Sequence, residues 1–165
     1  MTWIARYLRV LCFLALMGCT HGPDNGQTLE LLRQMGFRDA KITEGRVYVT
    51  ATELLAERNN TLGEAKLIEL ASHQWVGSNS DNSKTLRVAA LVTLARESPA
   101  KAAKHIEDAL EEEDPLIRQG ALAAIDVQPA VREQFRKLLQ RIAHEDSRPQ
   151  IADHATNLLR EMNDK

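Results

Sequence analysis

From residue 61 onward, apolar residues recur at helical spacing between short polar breaks, which predicts one helix after another. Thr61 and Glu64 stand at capping-box spacing ahead of Leu67, Ile68, Leu70, Ala71 and Trp75. The stretch GSNSDNS at 77–83 reads as a polar loop. Leu86, Ala89, Ala90 and Leu94 then line one helical face over 85–97. Ser98-Pro99, Asp114-Pro115, Pro129 and Arg148-Pro149 restart the helix four times. A proline in the first turn sacrifices no hydrogen bond, because the N–H it lacks has no intrahelical partner anyway. The pattern therefore predicts three helix pairs: 61–76 with 84–97, 99–113 with 115–126, and 129–145 with 149–163.

The segment before residue 61 follows a different rhythm. His21 to Gln27, with two Gly and one Pro, reads as part of a tether over 19–27. Thr28 is placed to cap a helix from Leu29 to Met35, with Leu29, Leu32 and Met35 on one face and Gly36 as its stop. Ile42, Val47 and Val49 alternate with polar neighbours around Glu44-Gly45, which predicts a hairpin. A lone hairpin is marginal in water, so this one is expected to pack on the first helix. Thr52 to Arg58 extends the segment by a short helix, and Asn59-Asn60 breaks it. Residues 28–58 thus form a small α-β-β unit. The expected fold class is mainly α: a short α-solenoid over 61–163 preceded by that unit.

The first residues carry an address. Arg6 and Arg9 precede the apolar run Val10 to Met17, which Gly18 and Cys19 close, and no acid appears before Asp24. Eight apolar residues fall far short of the ~20 that span a bilayer, and the layout is that of an export signal. Leu16-Met17-Gly18-Cys19 resembles the lipobox of bacterial lipoproteins. The resemblance implies that 1–18 is a signal peptide removed before Cys19, and that Cys19 carries a diacylglyceryl thioether and an acylated amine. Several acyl chains give stable anchoring where one does not. With Thr20 after the Cys, the family's sorting rule implies the outer membrane, inner leaflet, facing the periplasm.

Removing the signal peptide changes the composition. Lys plus Arg falls from 21 to 19 against 23 acids, so the net charge moves from −2 to −4. With Cys12 discarded and Cys19 acylated, no thiol remains for a disulfide or a metal. Phe37, Tyr48, Trp75 and Phe135 are the remaining aromatics, spread far apart. Neither clustered cations nor a stacking platform is present, which argues against nucleic acid as a partner.

The helices also repeat. Leu86 to Leu94 aligns with Ile117 to Ile125, 31 residues on, and Ile117 to Ile125 aligns with Ile151 to Leu159, 34 residues on. Each copy opens on Leu or Ile, has Ala at its fifth place (Ala90, Ala121, Ala155) and closes on Leu or Ile. A small residue there lets a neighbouring helix come close. These residues, DPLIRQGALAAI above all, resemble the second helix of a HEAT repeat, in the short form seen in phycobilin lyases. The resemblance implies a stack of paired helices in which an Arg bridges to a carboxylate of the neighbouring repeat. Arg87 and Arg118 occupy that place, and Ala152 replaces it in the last copy.

Candidate chemistry is sparse. His144-Glu145-Asp146 and Asp153-His154 flank the last turn and could converge on a metal, yet exposed helix ends carry such residues routinely, and no metal or other cofactor is expected. Glu111 to Asp114 reads as a solvated turn rather than a calcium loop. No nucleophile elbow, phosphate-binding glycine loop or thiol nucleophile occurs, so no catalytic residue is assigned and the chain is read as a non-enzyme. In the resembled family the second helices meet partners. Their outward positions here run from Val88, Val92 and Ala95, the first two expected under the α-β-β unit, to Gln119, Ala123, Asp126, Asp153 and Asn157, expected to meet a protein partner. The resulting expectation is a lipid-anchored periplasmic scaffold. The alternatives are an accessory lipoprotein of a secretion system, whose αβ module residues 29–73 resemble, an immunity protein, or a lyase-like cofactor-attachment factor.

Overall fold

The computed structural model describes residues 23–56, 59–72 and 80–164. The signal peptide 1–18, Cys19, the end of the predicted 52–58 helix, Trp75 and the front of the 77–83 loop lie outside the described residues.

Helix α1 (Asn25–Gln34) starts earlier than the sequence suggests and takes in the end of the segment expected as a tether. Asp24 is the reason. Its carboxylate accepts the Gln27 N–H at 2.8 Å, which offsets the poor helix formers Asn25 and Gly26. Thr28 is not the cap; its hydroxyl donates back to the Asp24 carbonyl at 2.8 Å and is buried. Gly36, at φ 86°, ends the helix as expected.

Strands β1 (Lys41–Thr43) and β2 (Arg46–Tyr48) pair antiparallel, with Ile42 opposite Val47. Glu44 and Gly45 both have positive φ, 52° and 76°, the turn that suits a tight hairpin. Helix α2 (Ala51–Leu55) opens on a capping box built from Thr50 and Glu53. The box is therefore not at Thr61 and Glu64, which have the same spacing. Thr61 instead donates its hydroxyl and N–H to the Gln34 carbonyl, and Glu64 binds Ser98 and Lys101.

The helical part follows the predicted pairing. Helix α3 (Glu64–Ala71) packs on α4 (Asp81–Glu97), α5 (Pro99–Leu110) on α6 (Pro115–Asp126), and α7 (Arg136–Glu145) on α8 (Pro149–Asn163). The stretch Pro129–Phe135, expected as the start of a long helix, is a 3-10 helix that leads into α7. Second helices α4, α6 and α8 contact one another in turn and form one layer. Helices α3, α5 and the 3-10 segment form the other.

Helix α4 begins four residues before the predicted start, because the Ser80 hydroxyl accepts the Ser83 N–H at 3.1 Å. From Leu86 to Ala95 every residue is buried. A helix buried all round, here mostly apolar apart from Arg87 and Thr93, must be covered on every side. Helices α3, α5 and α6 cover three sides, and α1 with β2 covers the fourth, while α2 rests on α6. Val88 and Val92 are buried, as expected of positions under the α-β-β unit, and Ala95 is buried with them. Its attachment is polar as well. The Val47 N–H donates to the Asn82 side chain, Thr85 donates to the Val47 carbonyl, and Arg96 donates to the Leu54 carbonyl at 2.6 Å.

The helices α4 and α6 approach closely at Gly120. A Cβ there would lie 2.5 Å from one Val88 methyl and 2.8 Å from the other. Gly120→Ala should gain about 1 kcal/mol of helix propensity yet lose about 1–3 kcal/mol to overpacking. The expected result is a lower melting temperature by circular dichroism; a rise would show that the two helices can part without loss.

Candidate functional site

Repeated arginines organise the stack. Arg87 on α4 donates its Nε to the Ala71 carbonyl at the end of α3, 3.1 Å away, and pairs with Glu112 at 2.8 Å. Arg118 on α6 donates to the Glu112 and Glu113 carbonyls just past α5, both at 2.8 Å. It then grips Asp146 through two bonds of 2.6 and 3.1 Å. Each arginine thus closes the C-terminal end of the first helix of its own pair, where carbonyls point out unpaired. Arg87 then reaches the carboxylate in the turn of the next pair through one nitrogen, and Arg118 does so through two. The expected inter-repeat role of Arg87 and Arg118 matches this geometry. At Ala152 a methyl replaces the guanidinium, and the series stops.

Arg132 does related work that the sequence did not disclose. It donates to the Ile125 and Asp126 carbonyls past the middle of the stack, and its two ion pairs run to Asp126 at 2.8 Å and Glu161 at 2.6 Å. It sits in the 3-10 segment rather than on a second helix, so no repeat alignment reaches it. The run Glu111 to Asp114 is likewise more than a solvated turn. Arg141 binds Glu111, Arg87 binds Glu112, and Lys84 binds Asp114, whose carboxylate also caps α6 through the Leu116 N–H.

Among the five predicted partner-facing residues, Gln119, Asp153 and Asn157 are exposed. Ala123 is not available to a partner: α6 is packed by α2, α4, α5 and α8, and only 7% of Ala123 remains accessible. Asp126 is half-buried and engaged by Arg132, with His154 Nε2 3.8 Å away. Those neighbours hold its carboxyl below the ordinary range, His154 contributing most. The acids and histidines around the last turn do not meet. Asp146 turns to Arg118 while His154 turns to Asp126. Among the described residues no three His, Cys, Asp or Glu side chains gather as a metal site.

Two concavities lie among the described residues. One is a broad polar cleft lined by Glu111, Arg118, Arg141, Glu145, Asp146 and Ser147, whose charges are largely spent on Arg118–Asp146 and Arg141–Glu111. The other is an apolar groove of about 170 Å³ between β2, α2, α4 and α6, lined by Tyr48, Val49, Leu54, Val88 and Leu116. Its mouth carries the Arg46–Asp81 pair at 2.9 Å. The sequence reading did not single out Tyr48 and Leu116 as surface features, because only the folded chain brings them to one groove.

The Arg118–Asp146 bridge makes a pH prediction. The guanidinium holds the Asp146 carboxyl below the ordinary range, aided by the Arg148 N–H. A carboxyl lowered on folding stabilises the protein above its unfolded value of about 4, and that contribution disappears as pH falls through the lower folded value. Asp146→Asn should lose about 2 kcal/mol at pH 7, and the gap to the parent should narrow below about pH 4. Urea unfolding at several pH values measures it; a gap that stays constant with pH would refute the coupling. No protein-family model, curated protein or solved structure matches this chain.

Proposed function

We propose that this protein is a lipid-anchored scaffold of the bacterial envelope, held by acyl chains on Cys19 in the inner leaflet of the outer membrane and facing the periplasm. It binds another protein through the exposed ridge of α6 and α8 and performs no chemistry of its own. The observation that carries this reading is the division of labour among polar residues. Arg87, Arg118 and Arg132 are consumed in joining helix ends and neighbouring pairs. Gln119, Asp153 and Asn157 are exposed on helices whose burial already comes from other faces, so they remain for an external contact. Stacked pairs make a stiff surface, and a preformed surface binds without first losing conformational entropy.

The lipobox resemblance supports the anchor, and the net charge of −4 after processing leaves no electrostatic case for nucleic acid. The test is residue-specific photocrosslinking in the native host. A crosslinking side chain replacing Gln119 or Asn157 should yield one discrete adduct with a second protein, while the same group replacing Glu107 on α5 should not. No adduct from either ridge position, or equal adducts from all three, would overturn the scaffold reading. For the anchor, Cys19→Ser should move the protein from the detergent phase to the aqueous phase on phase separation. Unchanged partitioning would show that Cys19 does not carry the lipid.

A further inference from the structure

We infer that the groove-bearing end of the molecule, with Tyr48 and Leu116 at its surface, rests on the lipid bilayer and sets the orientation of the stack above it. This rests on the lipid-anchor reading and goes beyond it. An acyl anchor alone fixes where the chain is tied, not which face touches the membrane.

The first ground is the short covalent distance from Cys19 to Pro23. Four residue steps separate Cys19 from Pro23, a reach of at most about 14 Å at ~3.6 Å per step. Pro23 is pinned. Its carbonyl accepts the Asn82 side-chain amide at 3.1 Å, and the same amide donates to the Asn25 side-chain oxygen at 2.9 Å. Asn25 in turn donates to the Gly45 carbonyl at 3.2 Å, and Asn82 accepts the Val47 N–H at 3.2 Å. Pro23, the hairpin turn and the start of α4 are therefore one hydrogen-bonded cluster. Arg46 and Asp81, the residues adjacent to Gly45 and Asn82, form the mouth of the apolar groove. A lipid on Cys19 places this mouth within a short tether's length of the headgroups.

The second ground is independent of the tether. The large apolar side chains most exposed among the described residues are Ile42, Tyr48, Leu55 and Leu116. Three belong to the α-β-β unit, and Leu116 faces that unit across the groove. The far end shows the opposite character: α8 exposes Asp153, Thr156, Asn157, Arg160 and Glu161. The large exposed apolar side chains thus gather at the anchored end, among exposed charges such as Arg38, Lys41, Glu44 and Arg46, and such apolar exposure marks an interaction surface. Tyrosine, with an apolar ring and a polar tip, suits the interface in particular. Because Arg46 and Asp81 neutralise each other at the mouth, the contact does not need anionic lipid, and a zwitterionic bilayer is the occupant.

The experiment uses the full lipidated protein reconstituted in phosphatidylcholine vesicles. With Cys19 blocked by lipid and Cys12 lost with the leader, a single introduced thiol can carry a nitroxide. Labels at Tyr48→Cys and Leu116→Cys should favour oxygen over a water-soluble nickel chelate about threefold more than a label at Asn157→Cys. Both replaced side chains are exposed, so folding should survive, and Leu55→Cys is a second reporter should either variant fail its circular dichroism control. Labels that are all equally open to the chelate, on protein whose mass includes the acyl chains, would overturn the bilayer contact and leave the anchor intact. A mass without acyl chains would overturn the anchor, and the contact with it.

Discussion

The arginine that ends one helix and reaches into the next pair is the interaction on which the stack depends. A helix C-terminus leaves carbonyls without partners, and burying it between helices would leave them unsatisfied. Arg87 and Arg118 each answer that need with one edge of the guanidinium and bind the next turn's carboxylate with the other. Arginine suits this because its planar fork donates in two directions at once and stays charged at every relevant pH. Apolar packing between α4, α6 and α8 is non-directional and tolerates sliding, whereas a two-sided polar clamp fixes the register of one pair on the next. The Gly120–Val88 contact adds a steric counterpart to the same register.

The α-β-β unit follows from the same logic at the other end of the array. A terminal repeat exposes the face that an interior repeat would hide. Helix α4 is too apolar to stand at an open end, and α1 with β2 closes it. The last helix, α8, needs no such cover, because the residues on its outer face are polar and the bridging arginine is replaced by Ala152. Helix α4 is thus covered by an added module, whereas α8 presents polar residues on its outer face.

Much of this was legible because local chemistry decided it. Proline in the first turn marked the starts of α5, α6 and α8, and Glu44-Gly45 marked the hairpin. The repeat spacing located Arg87 and Arg118. Errors arose where several local signals competed and the tertiary contacts chose among them. Thr61-x-x-Glu64 and Thr50-x-x-Glu53 offer the same capping pattern, but Glu64 is drawn to Lys101 and Ser98, so only Thr50 and Glu53 form the box. Ala123 occupies the predicted outward position by helical phase, yet neighbouring elements bury it. The partners of Glu111, Glu112 and Asp114 lie 25 to 30 positions away in sequence, beyond any local motif. The groove is assembled from four elements, and no single stretch of sequence contains it.

The joint at Ser98 limits how the sequence can vary. This residue ends α4 and begins α5, with no connecting residue between them. One inserted amino acid would turn α5 by about 100° about its axis. Ala102, Ile106, Ala109 and Leu110 would then leave the interior together. Gains and losses of length in related chains are therefore barred from this corner and confined to the connections that have slack.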